Sequence, residues 1–474
     1  MPSQREDTDS REIKKWWVLL AIGTGTFMSA LDSSVVNAIL PVIRSDFGSN
    51  IASIEWVVSI YLLAVSGLLL SFGRLGDLHG HRRVYASGFA LFVCGSALCG
   101  LATSTMALTV SRGLQALGAA MLASNSPAIL TGSFPASERG RALGLQATMT
   151  YLGLTVGPSL GGWLTGILGW RSVFYINVPV GALALWMSLH FIPRDRPSGR
   201  AEAFDWLGAA LFLLGLVALL LGLNQGHAWG WTSAATLVSL AAAVAALMLF
   251  LQVESRRRNP MLDLGLFRES VFSLSTASAV LNYIGLFSVV FLMPFYLIQG
   301  RGLSPQQAGL MLTAQPLVMA VVAPVSGALS DRLGARLPAT IGMVILTLGL
   351  WLFSRLGPET ALASIVLTFS VTGLGTGVFI SPNNSALMGS APRLRQGVAA
   401  ATLATARNVG MVLGIGIAGA ILTTVMARQP QGNPDSGLFA AVHTAFLVAA
   451  MVTAIGALTS WGRHSVPGGS ASRE

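Results

Sequence analysis

The chain has 474 residues, of which 53% are hydrophobic and only 10% are charged, and its formal net charge is +10. This composition excludes a soluble globular domain. Apolar runs long enough to cross about 30 Å of hydrocarbon recur from end to end, which predicts an all-α polytopic membrane protein. The first run is too long for a signal-peptide core, so we expect it to be retained as a helix.

The periodicity predicts fourteen membrane segments, which we number in chain order. Their bounds are Trp16–Ile39, Trp56–Phe72, Val84–Ala102, Met106–Ile129, Gly144–Leu168, Val173–Ile192, Trp206–Leu223, Thr232–Leu251, Phe272–Leu297, Ala308–Ala328, Leu337–Ser354, Ala361–Ile380, Val398–Val425 and Leu438–Trp461. Segments 1–6 and 9–14 are predicted to form two six-helix bundles, and segments 7 and 8 are an insert between them.

The predicted domains follow from these segments. They are a tail at 1–15, an N-terminal bundle at 16–200, two inserted helices at 201–255, a C-terminal bundle at 256–461 and a second tail at 462–474. Most of the 29 Lys and Arg residues fall on the side of both tails. The positive-inside rule therefore predicts a protein of the cell inner membrane with both termini in the cytoplasm, and the basic charge requires no nucleic acid.

Of the 19 acidic residues, only Asp32 falls deep inside a predicted segment. An ionised carboxylate in hydrocarbon is costly, so Asp32 is a candidate proton site, although a structural acid with one fixed partner is the alternative. At a rise of about 1.5 Å per residue, Asp32 lies ~24 Å up segment 1 and Arg112 lies ~9 Å down segment 4. Both therefore sit in the outer half of the membrane. We predict that Asp32 is protonated in one state and paired with Arg112 in another; a permanent ion pair is the alternative.

A short loop pattern occurs twice. The pattern G-x-L-x-D-x-x-G-x-R spans Gly73–Arg82 after segment 2 and Gly327–Arg336 after segment 10. Repeats of this kind are typical of transporters, in which the substrate site lies near mid-membrane where the two halves meet.

Five further stretches match motifs of one transporter family. They are Leu31–Pro41, Arg112–Ala120, Gly153–Gly162, Trp170–Gly181 and Phe204–Gly208, with Ala116 standing where glycine is usual. On these motifs and the repeated loop, the chain resembles the major facilitator superfamily. More narrowly, it is similar to the fourteen-helix drug–proton antiporter branch of that superfamily.

The resemblance implies two conformational devices. The first is a cytoplasmic latch that holds the halves closed, for which a tight basic loop that only fixes topology is the alternative. Its residues are Gly73, Asp77, Gly80, Arg82 and Arg141, with Asp331 and Arg336 in the second copy. The second is a seal between the halves, for which an ordinary small-residue packing face is the alternative. Its residues are Gly153, Gly157, Pro158 and Gly161.

Substrate contacts are predicted from polar and aromatic residues between the midplane and the outer half. They are Tyr61, Asn282, Tyr283 and Gln315, for which plain packing is the alternative. Arg407 in segment 13 could bind an anionic group, cap carbonyls or snorkel. Glu55, before segment 2, is interpreted as a solvated helix start rather than a cation-attracting mouth residue.

These observations predict a proton-coupled antiporter that exports lipophilic, neutral or cationic drugs or toxic compounds by alternating access. The alternative cargo is an endogenous metabolite or a self-made antibiotic. A rival of another class is a non-transporting membrane sensor. No nucleotide-binding loop, metal-ligand cluster or catalytic set appears in the sequence, so we expect no enzyme activity and no cofactor. The expected partners are the lipid bilayer, a small lipophilic substrate and protons, whose gradient supplies the energy.

Overall fold

The computed structural model describes residues 2–135, 138–193, 205–257, 264–392, 396–428 and 434–463. These residues are helical almost throughout, and they contain no β-strand.

Sixteen α-helices are present in the described chain. They are α1 Pro2–Phe47, α2 Ile51–His79, α3 His81–Gly100, α4 Thr105–Ser133, α5 Arg139–Leu168, α6 Ser172–Tyr175, α7 Asn177–Phe191, α8 Trp206–Trp229, α9 Ala234–Arg256, α10 Ser270–Pro294, α11 Pro305–Leu312, α12 Ala314–Leu333, α13 Arg336–Ser354, α14 Leu362–Ser390, α15 Gln396–Arg428 and α16 Pro434–Trp461. A 3₁₀ turn at Leu266–Arg268 precedes α10, and a π-helical turn at Phe295–Gly300 follows it.

The fold agrees with an all-helical membrane protein. Thirteen helical stretches of the described residues are long and apolar enough to cross a membrane. The glycine-rich α5 has 30 residues but is not among them. The exact number of crossings therefore stays a prediction.

Two predicted segments are each divided into two helices. Segment 6 becomes α6 and α7, and segment 10 becomes α11 and α12. The first break has a local cause, because Pro179 has no N–H to donate to the carbonyl of Tyr175, the last residue of α6. The break places Asn177 at the first position of α7, which matters for the site described below.

The chain forms two compact units. The first comprises Met1–Leu213 with Ser304–Gly309, and the second comprises Leu214–Leu303 with Leu310–Glu474. In the first unit α1 packs on α5, α3 on α4 and α2 on α4. In the second unit α10 packs on α15, α13 on α14 and α12 on α14. The same packing scheme therefore occurs in both units.

The repeated loops also match in detail. Gly80 ends α2 with φ 94°, and Gly334 ends α12 with φ 77°, so both sharp turns use a backbone conformation that favours glycine. A Cβ added at Gly73 would lie 3.8 Å from the Cβ of Ser124, and one added at Gly327 would lie 2.5 Å from the hydroxyl of Ser381. Each loop thus begins where its helix approaches a serine of α4 or of α14, which hold matching places in the packing of the two units.

Candidate functional site

Asp32 and Arg112 form a buried ion pair in the first unit. The Arg112 Nη1 atom donates to Oδ2 of Asp32 at 2.5 Å, and the two residues are 3% and 1% exposed. The structure thus brings together the two residues that the sequence analysis placed at one depth. Their role in proton coupling stays a prediction, because the geometry alone fits both an alternating pair and a permanent one.

Two amides hold the other oxygen of the Asp32 carboxylate. Gln115 Nε2 donates to Oδ1 at 2.9 Å, and Asn177 Nδ2 donates to the same atom at 2.8 Å. Asn177 also donates to the hydroxyl of Ser96 at 3.1 Å, and Ser96 donates to the carbonyl of Phe174 at 2.9 Å. Every contact made by the carboxylate comes from a donor, so this arrangement suits an ionised Asp32, which can only accept.

Arg112 has partners besides Asp32. Its Nη1 atom also donates to Oε1 of Gln115 at 2.7 Å, and its Nε atom donates to the carbonyl of Val57 at 3.4 Å. The guanidinium carbon lies 4.2 Å from the centre of the Tyr61 ring, a cation–π distance. The positive charge would therefore keep several favourable contacts if Asp32 became neutral.

Gln115 and Asn177 were not among the residues predicted from the sequence. Gln115 follows Arg112 by three residues, which places both on one face of α4. Asn177 reaches Asp32 because the break before Pro179 starts α7 at that residue. The signals that could have found them were the i, i+3 spacing and the Asn-Val-Pro sequence.

A groove of small residues on α5 packs against α1 on both sides of Asp32. A Cβ added at Gly153 would lie 2.6 Å from the carbonyl oxygen of Phe27, and one added at Gly157 would lie 2.6 Å from the Cβ of Ser34. A Cβ at Gly161 would meet the side chain of Val35 at the same distance. The predicted antiporter motif therefore forms a close contact with the helix that carries Asp32.

Pro158 leaves one carbonyl of α5 without its usual donor, and α1 supplies another. A proline has no N–H, so the carbonyl of Leu154, four residues earlier, cannot be satisfied within the helix. The hydroxyl of Ser34 donates to that carbonyl at 3.0 Å.

The first unit also packs Ser304–Gly309 against α5. A Cβ at Gly162 would overlap the carbonyl of Pro305, and a Cβ at Gly309 would overlap the carbonyl of Pro158. The small residues of α5 thus serve two close contacts, one with α1 and one with this segment.

The second unit repeats the groove but not the carboxylate. On α15, a Cβ at Gly410 or Gly414 would lie 2.6 or 2.7 Å from the carbonyl oxygen of Val280 or Ile284 on α10. Gly153 and Gly157 meet Phe27 and Leu31 of α1 in the same register. Asp32 follows Leu31, whereas Gly285 follows Ile284. The neighbours of Gly285 are Leu346, Leu350 and Thr453. At this position only the first unit has an ionisable group.

The predicted latch residues have local partners. The Nε2 atom of His81 lies 3.3 Å from Oδ1 of Asp77, and Nη2 of Arg82 donates to the carbonyl of Leu189 near the end of α7. In the second copy, Arg336 lies over the ring of Trp461 at the end of α16, at 4.4 Å. The corresponding arginines thus contact α7 and α16, which belong to predicted segments 6 and 14. Arg141 lies over the ring of Trp16 at 5.2 Å. The side chain of Asp331 lies outside the described residues.

The predicted substrate residues do not share one environment. Tyr61 contacts Arg112 and hydrogen-bonds the hydroxyl of Ser29 at 3.0 Å, in the first unit. In the second unit, Asn282 is fully buried and its Nδ2 lies 3.4 Å from Sδ of Met343. Gln315 is also buried, and its Nε2 has no hydrogen-bond partner among the described residues. Tyr283 is half-buried.

The structure corrects the predicted environment of Glu55 and narrows that of Arg407. Glu55 is not a solvated helix start: it is 1% exposed, because α2 begins at Ile51, before the predicted start at Trp56. Arg407 is exposed and, among the described residues, makes no hydrogen bond or ion pair. Arg407 thus caps no carbonyl of the described residues, while anion binding and snorkelling stay open.

Comparison with known proteins identifies the family. The family model described as Major Facilitator Superfamily matches residues 22–267 and 275–474. The chain belongs to the Major Facilitator Superfamily. It is therefore a multi-pass membrane protein of a transporter family rather than an enzyme.

Relatives and a solved structure support this assignment. The chain is 34% identical to the riboflavin transporter RibZ of Clostridioides difficile, covering 94% of this chain and 96% of the relative. It is 36% identical to the multidrug resistance protein Stp of Mycobacterium tuberculosis, covering 85% and 75%. A bacterial homolog of the human lysosomal transporter Spinster has the same fold, with a TM-score of 0.68, 16% identity, and coverage of 94% and 96%.

Proposed function

We propose that this major facilitator protein is a proton-coupled antiporter that exports lipophilic, neutral or cationic compounds by alternating access. The observation that carries the proposal is the buried Asp32–Arg112 pair, in which the carboxylate is surrounded by donors and the guanidinium has other partners. A proton is the only ion the proposal requires.

The proton exchange step follows from the hydrogen-bond inventory. A proton added to Oδ2 of Asp32 makes this oxygen a neutral hydroxyl, which is a much weaker acceptor for Arg112 Nη1 than the carboxylate is. Arg112 then retains Oε1 of Gln115, the carbonyl of Val57 and the face of Tyr61. Neutralising the acid therefore weakens the link between α1 and α4 without leaving the arginine unpaired, which favours an alternating pair over a permanent one.

The contact between α5 and α1 supports coupling of that step to a conformational change. Gly157 and Ser34 touch within two residues of Asp32, and Ser34 is hydrogen-bonded to α5. A shift of α1 on protonation would therefore move α5, whose other small residues pack on Ser304–Gly309. In this proposal the α5 groove acts as the seal that opens and closes during transport.

The names of two relatives support two classes of cargo. The multidrug name of the Mycobacterium tuberculosis relative supports a drug-like cargo. The riboflavin name of the Clostridioides difficile relative, which aligns over nearly its whole length, supports an endogenous metabolite as the second candidate. The concentration of Lys and Arg on the side of both tails supports an inner-membrane protein with cytoplasmic termini.

Inverted membrane vesicles from a pump-deficient bacterial host test the proposal. Vesicles that contain the protein should accumulate ethidium, a lipophilic cationic dye, when respiration is energised, and an uncoupler should abolish the accumulation. Riboflavin in place of ethidium tests the second candidate. Accumulation that the uncoupler leaves unchanged would contradict proton coupling for either cargo.

A further inference from the structure

A second buried arginine lies in the second unit, away from the Asp32 site. Arg463 follows α16 by two residues, and its side chain turns back among α10, α14 and α16, where it is 2% exposed. Its polar neighbours on these helices are Ser275 of α10 and Asn383 of α14. Phe272 lies three residues before Ser275, and Leu387 lies four residues after Asn383. Both apolar side chains belong to one buried cluster. The surroundings of this cation are therefore poor in water.

The polar contacts of Arg463 use only part of its guanidinium. Nη2 donates to Oδ1 of Asn383 at 2.5 Å and to Oγ of Ser460 at 3.3 Å, and Asn383 Nδ2 donates to the carbonyl of Ser275 at 3.2 Å. We call these four residues the Arg463 cluster. Nε and Nη1 of Arg463 and the hydroxyl of Ser275 are buried and have no hydrogen-bond partner in the part of the chain that the structure describes.

The cluster has a positive charge and no matching negative one. Among the described residues, no carboxylate lies within ion-pair distance of Arg463. Burial lowers the pKa of the Arg463 guanidinium from its ordinary value to about 10, so the group is still protonated at neutral pH. A buried cation with unused donors destabilises a fold unless an anion completes it.

The position of the cluster indicates the class of anion. Arg463 follows by two residues the candidate membrane span Gly437–Trp461. The end of such a span is where lipid phosphates are expected to meet water. Trp461 is 54% exposed, as aromatic residues at a membrane interface commonly are. Arg336 lies over the Trp461 ring, and its own Nε is buried with no hydrogen-bond partner among the residues described. Guanidinium groups with free N–H donors are the usual protein ligands of phosphate.

We propose that the Arg463 cluster binds a phosphate-class oxyanion, from a lipid headgroup or from free phosphate, which stabilises the second unit. This binding does not rest on the proposed transport function. The anion accepts from Nε and Nη1 of Arg463 and from the hydroxyl of Ser275, and it neutralises the buried charge. The amide of Asn383 and the hydroxyl of Ser460 fix the guanidinium in place before the anion binds.

Thermal unfolding of the purified protein in an uncharged maltoside detergent tests this site. Sodium phosphate is compared with sodium chloride at equal ionic strength, and in a second arm phosphatidylglycerol is added without phosphate. Wild type should show a saturable rise of the unfolding midpoint by several degrees in at least one arm. Arg463→Lys keeps the charge but not the two guanidinium donors, so its rise should be smaller. Arg463→Gln should show none. The matched control is Arg355→Gln, which removes an exposed arginine stacked on Trp351 and should respond as wild type does.

The two arms identify the source of the anion. A rise with phosphate assigns a soluble ligand, and a rise with phosphatidylglycerol alone assigns a lipid. An equal midpoint for wild type in phosphate, chloride and lipid overturns the proposal, and this result needs no variant to fold. A rise of equal size in Arg463→Gln and wild type overturns it as well. Arg463→Gln could also have a lower unfolding midpoint than wild type in chloride. If neither phosphate nor phosphatidylglycerol changes the difference between the two midpoints, Arg463 stabilises the fold only through its hydrogen bonds, and the proposal is wrong.

Discussion

The hydroxyl of Ser34 on α1 donates a hydrogen bond to the carbonyl oxygen of Leu154 on α5, at 3.0 Å. This is the carbonyl that Pro158 leaves without a donor, because proline has no N–H. Ser34 lies two residues after Asp32, so the bond joins the candidate proton site to the glycine-rich helix. The proline of the antiporter motif thus creates an acceptor that holds α1 and α5 together.

A double-mutant cycle tests this relationship. Ser34→Ala removes a neutral hydrogen bond and should cost about 1 kcal/mol of stability. In a Pro158→Ala background the restored N–H satisfies Leu154 within α5, so the same serine substitution should cost much less. The measurement is the free energy of unfolding of the four proteins in detergent. Equal costs in the two backgrounds would show that Ser34 does not serve the carbonyl freed by Pro158.

The close approach of α5 to α1 predicts a steric effect at Gly157. The Cβ of a valine at this position would lie about 2.6 Å from the Cβ of Ser34, which is too close. We expect Gly157→Val to cost about 1–3 kcal/mol through overpacking and to reduce export sharply. Gly144→Val on the same helix is the control, because no atom lies within 4 Å of a Cβ there. Dye export by cells with matched protein levels is the readout, and similar losses in both variants would remove the argument for a specific groove.

Asn177 is expected to position the carboxylate of Asp32. Asn177→Ala removes a hydrogen bond to a charged group, so the free energy of unfolding should fall by about 1.5–3 kcal/mol. In an Asp32→Asn background the acceptor is neutral, and the loss should shrink to about 1 kcal/mol. Thermal and denaturant unfolding of the four proteins measures the coupling. An unchanged loss in the Asp32→Asn background would mean that Asn177 supports only Ser96.

The sequence could predict the Asp32–Arg112 contact because helix geometry converts residue number into depth. Two buried, opposite charges at one depth of one helical bundle have few alternatives to pairing, and the structure places them at 2.5 Å. The repeated loops could be predicted for a similar reason. Their glycines are required by the backbone at Gly80 and Gly334, so the pattern appears directly in the residues.

The surroundings of that pair were harder to predict, because they depend on helix ends and rotations that the sequence signals only indirectly. Asn177 reaches Asp32 because the helix breaks between α6 and α7. Segment 6 is apolar on both sides of this break, so its hydropathy does not show where the break lies. The prediction of a solvated Glu55 is wrong because α2 begins at Ile51 and not at Trp56, as predicted. The rotation of α10 turns Asn282 to Met343 of α13, a contact that segment bounds do not contain.

Arg407 gives a prediction about cargo charge. An arginine that is exposed at membrane depth and has no partner among the described residues favours an anionic group nearby. Arg407 therefore tests whether the cargo range extends beyond the neutral and cationic compounds of the proposal to anionic ones. We expect Arg407→Gln to reduce export of a carboxylate-bearing dye several-fold and to leave export of ethidium unchanged. Arg428→Gln, at the far end of α15, is the control. Equal export of both dyes by Arg407→Gln and wild type would assign Arg407 to snorkelling.

The central claim is that Asp32 couples transport to protons. Its most direct test is uptake of ethidium into proteoliposomes with and without an imposed pH gradient, compared between wild type and Asp32→Asn. Asp46→Asn, at the exposed end of the same helix where Asp46 pairs with Arg171, is the control. We predict that Asp32→Asn loses gradient-driven accumulation but keeps exchange of internal for external ethidium, while Asp46→Asn behaves as wild type. Gradient-driven accumulation by Asp32→Asn at the wild-type rate would contradict the account.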